Sequence, residues 1–220
     1  MELNENNTLG EWVSTFAGVS QVFIRNNLDF CCGGSKSLKD ACESSGINIE
    51  ELMKDLKEAA AGKTAPKWNL LGIDQVVDDI LEIFHKKHRD DLQMLIPLAK
   101  KVETVHASSA DCPKGLADFL ETLQFELESH MQKEEQILFP MIKSGRGMMA
   151  EGPIQVMMHE HISHIENLAK LKELAKNYIL PNGACGSWTA LYKGVENLEK
   201  EIKEHIATEN NILFPKVLNG

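Results

Sequence analysis

HMQKEEQILFP, residues 130–140, and HIATENNILFP, residues 205–215, share His, Glu, Ile, Leu, Phe and Pro at matching positions. The offset is 75 residues, from His130 to His205 and from Glu134 to Glu209. A second pair, His85-Lys-Lys-His88 and His161-Ile-Ser-His164, repeats at an offset of 76. Two segments recurring together at intervals that differ by one residue imply two copies of a helical hairpin, and so a bundle with pseudo-twofold symmetry.

Outward from these segments the apolar spacing is helical, without the alternation that marks strands. The chain reads as all-α, with four long helices at about 69–105, 113–143, 153–178 and 186–216. Pro113 and Pro153 suit first turns, Gly145 and Gly183 suit the breaks, and Pro97 should kink the first helix. Upstream, residues 1–62 read as a small helical domain of three short helices. Thr8 with Glu11 forms a capping box, Ser37 opens the second helix, and Asn48 with Glu51 opens the third. The turn DFCCGG follows the first helix, and GKTAPK, residues 62–67, reads as a linker to a bundle over 69–218. GKT lacks the upstream glycine of a phosphate loop, since Lys57 stands there.

The apolar seams place the polar residues. The second long helix runs Leu116, Leu120, Leu123, Leu127, His130, Glu134, Ile137, Met141, in steps of three or four. The fourth runs Leu191, Val195, Leu198, Ile202, His205, Glu209, Ile212. The third gives Ile154, Met157, His161, His164, Leu168, Leu171, and the first Val77, Leu81, His85, His88, Leu92, Leu95. Histidines and glutamates stand where leucine belongs, at one level of the core. A single His on an apolar face is usually an ordinary core residue, but four helices in phase are not. Buried carboxylates need a neutralising partner, and a pair of metal ions supplies it, with the two glutamates as bridges. Imidazole and carboxylate ligands suit iron, manganese or zinc, and carboxylate-bridged pairs in a bundle favour iron. Spacing alone leaves His88 and His164 as open as His85 and His161. His159 should point away, His106 should be solvated, and Glu126 flanks the seam or lines an access path.

The composition excludes other classes. With 23 Lys and Arg against 33 Asp and Glu, the net charge is −10. That argues against nucleic acid and acidic membranes as partners. No apolar run approaches the ~18–20 residues that span a bilayer, and MELNENN lacks the features of a signal peptide. Five cysteines, two adjacent at Cys31 and Cys32, do not form a secreted disulfide framework, so a cytoplasmic protein with reduced thiols is expected. Cys31 and Cys32 read as a redox or iron-transfer pair or as core filler, and Cys42, Cys112 and Cys185 receive no role.

The bundle resembles the hemerythrin-like, HHE cation-binding domain. Across nearly the whole chain, DFCCGG, FHKKHR, SHMQKEEQILFPMI, HEH and HIATENNILFP resemble the repair-of-iron-centres family. The resemblance implies two non-haem, oxo-bridged irons held by His85, His130, Glu134, His161, His205 and Glu209, the two glutamates bridging. It implies repair of iron–sulfur clusters damaged by nitrosative or oxidative stress, with damaged iron–sulfur proteins as partners and nitric oxide as a ligand. One carboxylate and two histidines per half are fewer histidines than oxygen carriers use, which argues against reversible dioxygen carriage. Reduction of nitric oxide at the centre, or gas or iron sensing, are the alternative uses. A homodimer is compatible with the small N-terminal domain.

Overall fold

A computed structural model describes residues 3–16, 18–61, 67–146 and 149–219. Among these residues there is no strand, only an isolated antiparallel bridge between Thr8 and Ser37. No helix among them is long and apolar enough to cross a membrane. Contacts group the chain into two compact units. One comprises Met1–Asp78, Met141–Met158 and Lys203–Gly220, the other Asp79–Pro140 and His159–Ile202.

In the first unit, α1 (Leu9–Thr15) opens with the expected capping box, in which the Glu11 amide donates to Thr8 and the Thr8 amide donates to Glu11. The helix expected to continue through Phe23 is interrupted. Gly18 adopts φ 90°, a left-handed geometry open to glycine, and α2 (Val19–Arg25) starts anew. The region therefore holds four helices, completed by α3 (Leu38–Ser45) and α4 (Ile49–Ala60), which Ser37 and Asn48 cap as expected. The linker read over 62–67 lies outside the described residues, apart from the backbone of Lys67. After the short α5 (Lys67–Leu70), α6 (Ile73–Asp79) leads into the bundle. Leu9, Trp12, Val22, Phe23, Leu38, Leu52 and Leu56 form the local core.

The DFCCGG turn packs closely within this unit. The Asn211 side chain donates to the Phe30 carbonyl at 3.1 Å, and Asn210 donates to the Cys31 carbonyl at 3.0 Å. The Gly10 amide donates to the Gly34 carbonyl at 2.8 Å. A Cβ on Gly34 would lie 2.2 Å from Asn211 Oδ1, so this glycine is required by close approach rather than by backbone angle.

In the second unit, α7 (Lys86–Val105) packs against α8 (Leu116–Lys133). Further along the chain come α9 (Phe139–Lys143), α10 (Glu151–Leu174), α11 (Gly186–Thr208) and α12 (Phe214–Asn219). Pro97 sits inside α7, which continues through it. The buried stripe Leu92, Leu95, Ala99 and Val102 faces the expected Leu116–Leu127 and Leu191–Ile202 seams. Each such leucine contributes about 1.5–3 kcal/mol by leaving water.

One feature departs from the seam reading. Ile80–His85, Glu134–Leu138 and Glu209–Leu213 are π-helical, and the last two begin at the repeated glutamates. The Phe139 amide donates to the Glu134 carbonyl and the Phe214 amide to the Glu209 carbonyl, five residues back. Pro140 and Pro215 follow directly. A proline ring crowds the turn before it and brings no amide donor, and a widened turn relieves both conflicts. The extra residue rotates the following helix. Leu138 and Ile142 are buried, whereas Ile137 is 54% exposed and Met141 half-buried, a correction to the expected seam; in the equivalent turn Ile212 is buried, as expected. Before His85 the same shift buries Ile80 and Phe84 and leaves Leu81 half-buried.

Candidate metal centre

The second unit brings His85, His130, Glu134 and His161 together, all nearly or fully buried. Glu134 stands between two histidines. Its Oε2 lies 3.2 Å from His85 Nε2 and its Oε1 lies 3.4 Å from His130 Nε2. His130 Nε2 is also 3.2 Å from His161 Nε2. The opposite ring nitrogens turn outward to carboxylates. His85 Nδ1 meets Glu135 Oε1 at 2.8 Å, and His130 Nδ1 meets Glu160 Oε2 at 2.9 Å.

Each outer carboxylate is itself held. Arg89 Nη1 donates to Glu135 at 2.9 Å and grips Glu128 through Nε and Nη2 at 2.7 and 3.1 Å. Lys133 donates to Glu160. Burial opposes ionisation of Glu160, but the bonds from Lys133 and His130 outweigh it and hold its carboxyl below the usual range. Glu128 is likewise lowered, chiefly by Arg89.

This arrangement fits a metal. A carboxylate at Nδ1 accepts the hydrogen bond of the ring N–H there, so Nε2 presents its lone pair inward, as in a carboxylate–histidine–metal relay. Inward-facing donor atoms 3.2–3.4 Å apart are placed so that a cation could be shared among them. The spacing matches, because donors bound at about 2.0–2.2 Å to one ion stand about 3.0–3.6 Å apart.

In the first unit, His205 Nε2 lies 3.4 Å from Glu209 Oε1, repeating the His130–Glu134 pair one helical turn apart. Within each unit the donor atoms lie within 4.8 Å of one another: those of His130, Glu134 and His161, and of His85 and Glu134, in the second, and those of His205 and Glu209 in the first.

Comparisons with known proteins agree. A family model described as the hemerythrin HHE cation binding domain matches residues 76–217, and a domain of unknown function, DUF542, matches residues 5–60. Over 214 residues, 97% of each chain, the sequence is 43% identical to the iron-sulfur cluster repair protein YtfE of Pectobacterium atrosepticum. The chain belongs to the repair-of-iron-centres family. It is also 42% identical over 214 residues, 96% of each chain, to a probable iron-sulfur cluster repair protein of Haemophilus influenzae. YtfE of Shigella boydii is 41% identical over 212 residues, again 96% of each chain. Like other members of the repair-of-iron-centres family, the chain carries a hemerythrin-like, metal-binding bundle.

The remaining candidates fall as follows. His88 and His164 are buried but belong to neither ligand group. Burial, together with the neighbouring His130 and His161, pushes His164 down to about 3, so it stays neutral. It lines a surface pocket of about 350 Å³ with Glu126, Ser129, Lys133 and Glu160, and there Asn167 donates to Glu126 at 2.5 Å. His159 is exposed, as expected. Cys31 is buried and donates to Asp29 at 3.2 Å. The neighbouring Cys32 thiol and burial raise its pKa well above the usual thiol value. Cys32 is half-buried, and neither cysteine is in a disulfide. His106, expected to be solvated, instead lies against Trp188 and Cys185. Sequence reasoning missed Glu135 and Glu160. Each is adjacent to a ligand in the chain, and that adjacency was the available signal.

Proposed function

We propose that the protein repairs iron–sulfur clusters damaged by nitrosative or oxidative stress, supplying iron from a carboxylate-bridged pair of ions in the cytoplasm. In this reading His85, His130, Glu134, His161, His205 and Glu209 hold two oxo-bridged irons, residues 69–218 being the bundle domain and 1–62 a separate small one. The observation that carries it is Glu134, whose two oxygens face two different histidines, as a bridging ligand requires. The names of the 41–43% identical relatives support the repair role. Bound iron would supply redox chemistry and a cargo for transfer.

The chain's own residues do the rest. Glu135 and Glu160 fix the tautomer and aim of His85 and His130, while Arg89 and Lys133 hold those carboxylates in place. The apolar seams on either side exclude water. Protonating a bridging carboxylate would weaken its hold and let cargo iron leave. Cys31 and Cys32 remain candidates for receiving iron or for redox exchange, Cys32 being the more open thiol.

The test is reactivation of an iron–sulfur enzyme inactivated by nitric oxide. Iron-loaded protein should restore its activity and lose iron in proportion, and Glu134→Leu should do neither. Repair by Glu134→Leu at the wild-type level would refute the reading.

A further inference from the structure

His106 and Cys185 are 79 residues apart in sequence, yet His106 Nε2 lies 3.2 Å from Cys185 Sγ. Both belong to the second compact unit. The imidazole is held in place, its ring centroid 4.7 Å from that of Trp188, which is itself buried. Cys185 immediately precedes α11, and the Ser187 and Trp188 backbone near its sulfur favours the thiolate. A nucleophile, a base within hydrogen-bond reach and a packed ring orienting that base make up an activated-thiol arrangement. The groups that bear on the sulfur are His106, from the loop after α7, and the two α11 amides, with no carboxylate among them. Led by the His106 hydrogen bond, they lower the thiol to about 7. The contrast with three of the other cysteines is chemical. Cys31, Cys42 and Cys112 are buried, and their thiols are all raised. Cys185 is partly open to solvent.

We propose that Cys185 and His106 form a reactive thiol site that accepts a low-molecular-weight thiol from its disulfide. The Cys185 thiolate, its proton held on His106, attacks one sulfur of RS–SR. A new S–S bond to Cys185 forms as the old one breaks. The departing sulfur leaves with the bonding electron pair and takes the proton from His106, so that Cys185 is oxidised and one RSH is released. The site is separate from the metal centre. His85 precedes α7 and His106 follows it, and the helical rise between them is roughly 30 Å.

The test uses the full-length protein with oxidised glutathione and, in parallel, iodoacetamide, with each cysteine followed by peptide mass spectrometry. Cys185 should carry the first adduct, and its alkylation should show a midpoint near pH 7. In His106→Gln the midpoint should move up toward about 8.5, the ordinary thiol value, and a full return there would cut the thiolate fraction at pH 7 by about 16-fold. The more basic thiolate is the better nucleophile, so the rate with oxidised glutathione should fall only about threefold. An unshifted midpoint in His106→Gln overturns the proposal. So does a wild-type midpoint near 8.5, or a first adduct on any other cysteine.

Discussion

Replacing Glu160 tests whether the buried histidines are metal ligands or merely a hydrogen-bonded core. Its Oε2 lies 2.9 Å from His130 Nδ1, and Lys133 holds its other oxygen. Glu160→Gln keeps an acceptor for the Nδ1 proton and removes the charge, whereas Glu160→Ala removes both. Loss of an outer carboxylate costs about 10–100-fold in metal affinity, or about 1.4–2.7 kcal/mol. The Gln variant should sit near the lower end and the Ala variant near the upper. The metal-free protein should lose little, because the Lys133–Glu160 pair is partly exposed, at 38% and 27%, and such pairs contribute under about 1 kcal/mol. Anaerobic competition for ferrous iron against a chelator reads the affinity, and thermal melts of the metal-free protein read the structural cost. Two variants within twofold of wild type in iron affinity would refute the assignment. A melting-point loss in metal-free protein equal to that in loaded protein would also refute it, since the carboxylate would then be structural.

The π-helical turn after Glu134 predicts that Leu138→Ala destabilises by about 2–5 kcal/mol while Ile137→Ala stays within about 0.5 kcal/mol. Urea unfolding of the two variants checks this, and the reverse order would restore an uninterrupted seam. At the cysteine turn, Gly34→Ala puts a methyl group 2.2 Å from Asn211 Oδ1 and should cost about 1–3 kcal/mol. Adding Asn211→Ala should recover part of that loss in the same assay, and strictly additive losses would show that the two do not meet.

Much of the bundle was legible because burial leaves a periodic trace. Leu116–Leu127, Leu191–Ile202, and His161 with His164 all lie buried where steps of three and four placed them. The reading failed where the period itself changes. Ile137 fits a 3.6-residue helix yet is exposed, whereas Ile212, in the equivalent π-helical turn, is buried, and a template of fixed period cannot tell the two apart. Gly18 interrupts a helix that its apolar neighbours would continue. The outer carboxylates were hidden for another reason. Glu135 and Glu160 lie off the seam and resemble ordinary surface charge until a partner from another helix arrives. The His106–Cys185 pair carries no local signal at all, since each lies in a connection between helices.

Asn210 stands 75 residues after Glu135, at the equivalent position of the repeat, and the two have opposite duties. Glu135 faces inward and braces a histidine, whereas Asn210 reaches the main chain of Cys31, and its neighbour Asn211 reaches that of Phe30. Both asparagines directly follow Glu209. The carboxylate and the cysteine turn are therefore linked through one peptide bond and one side chain, so that a movement of either is passed to the other through that hydrogen bond.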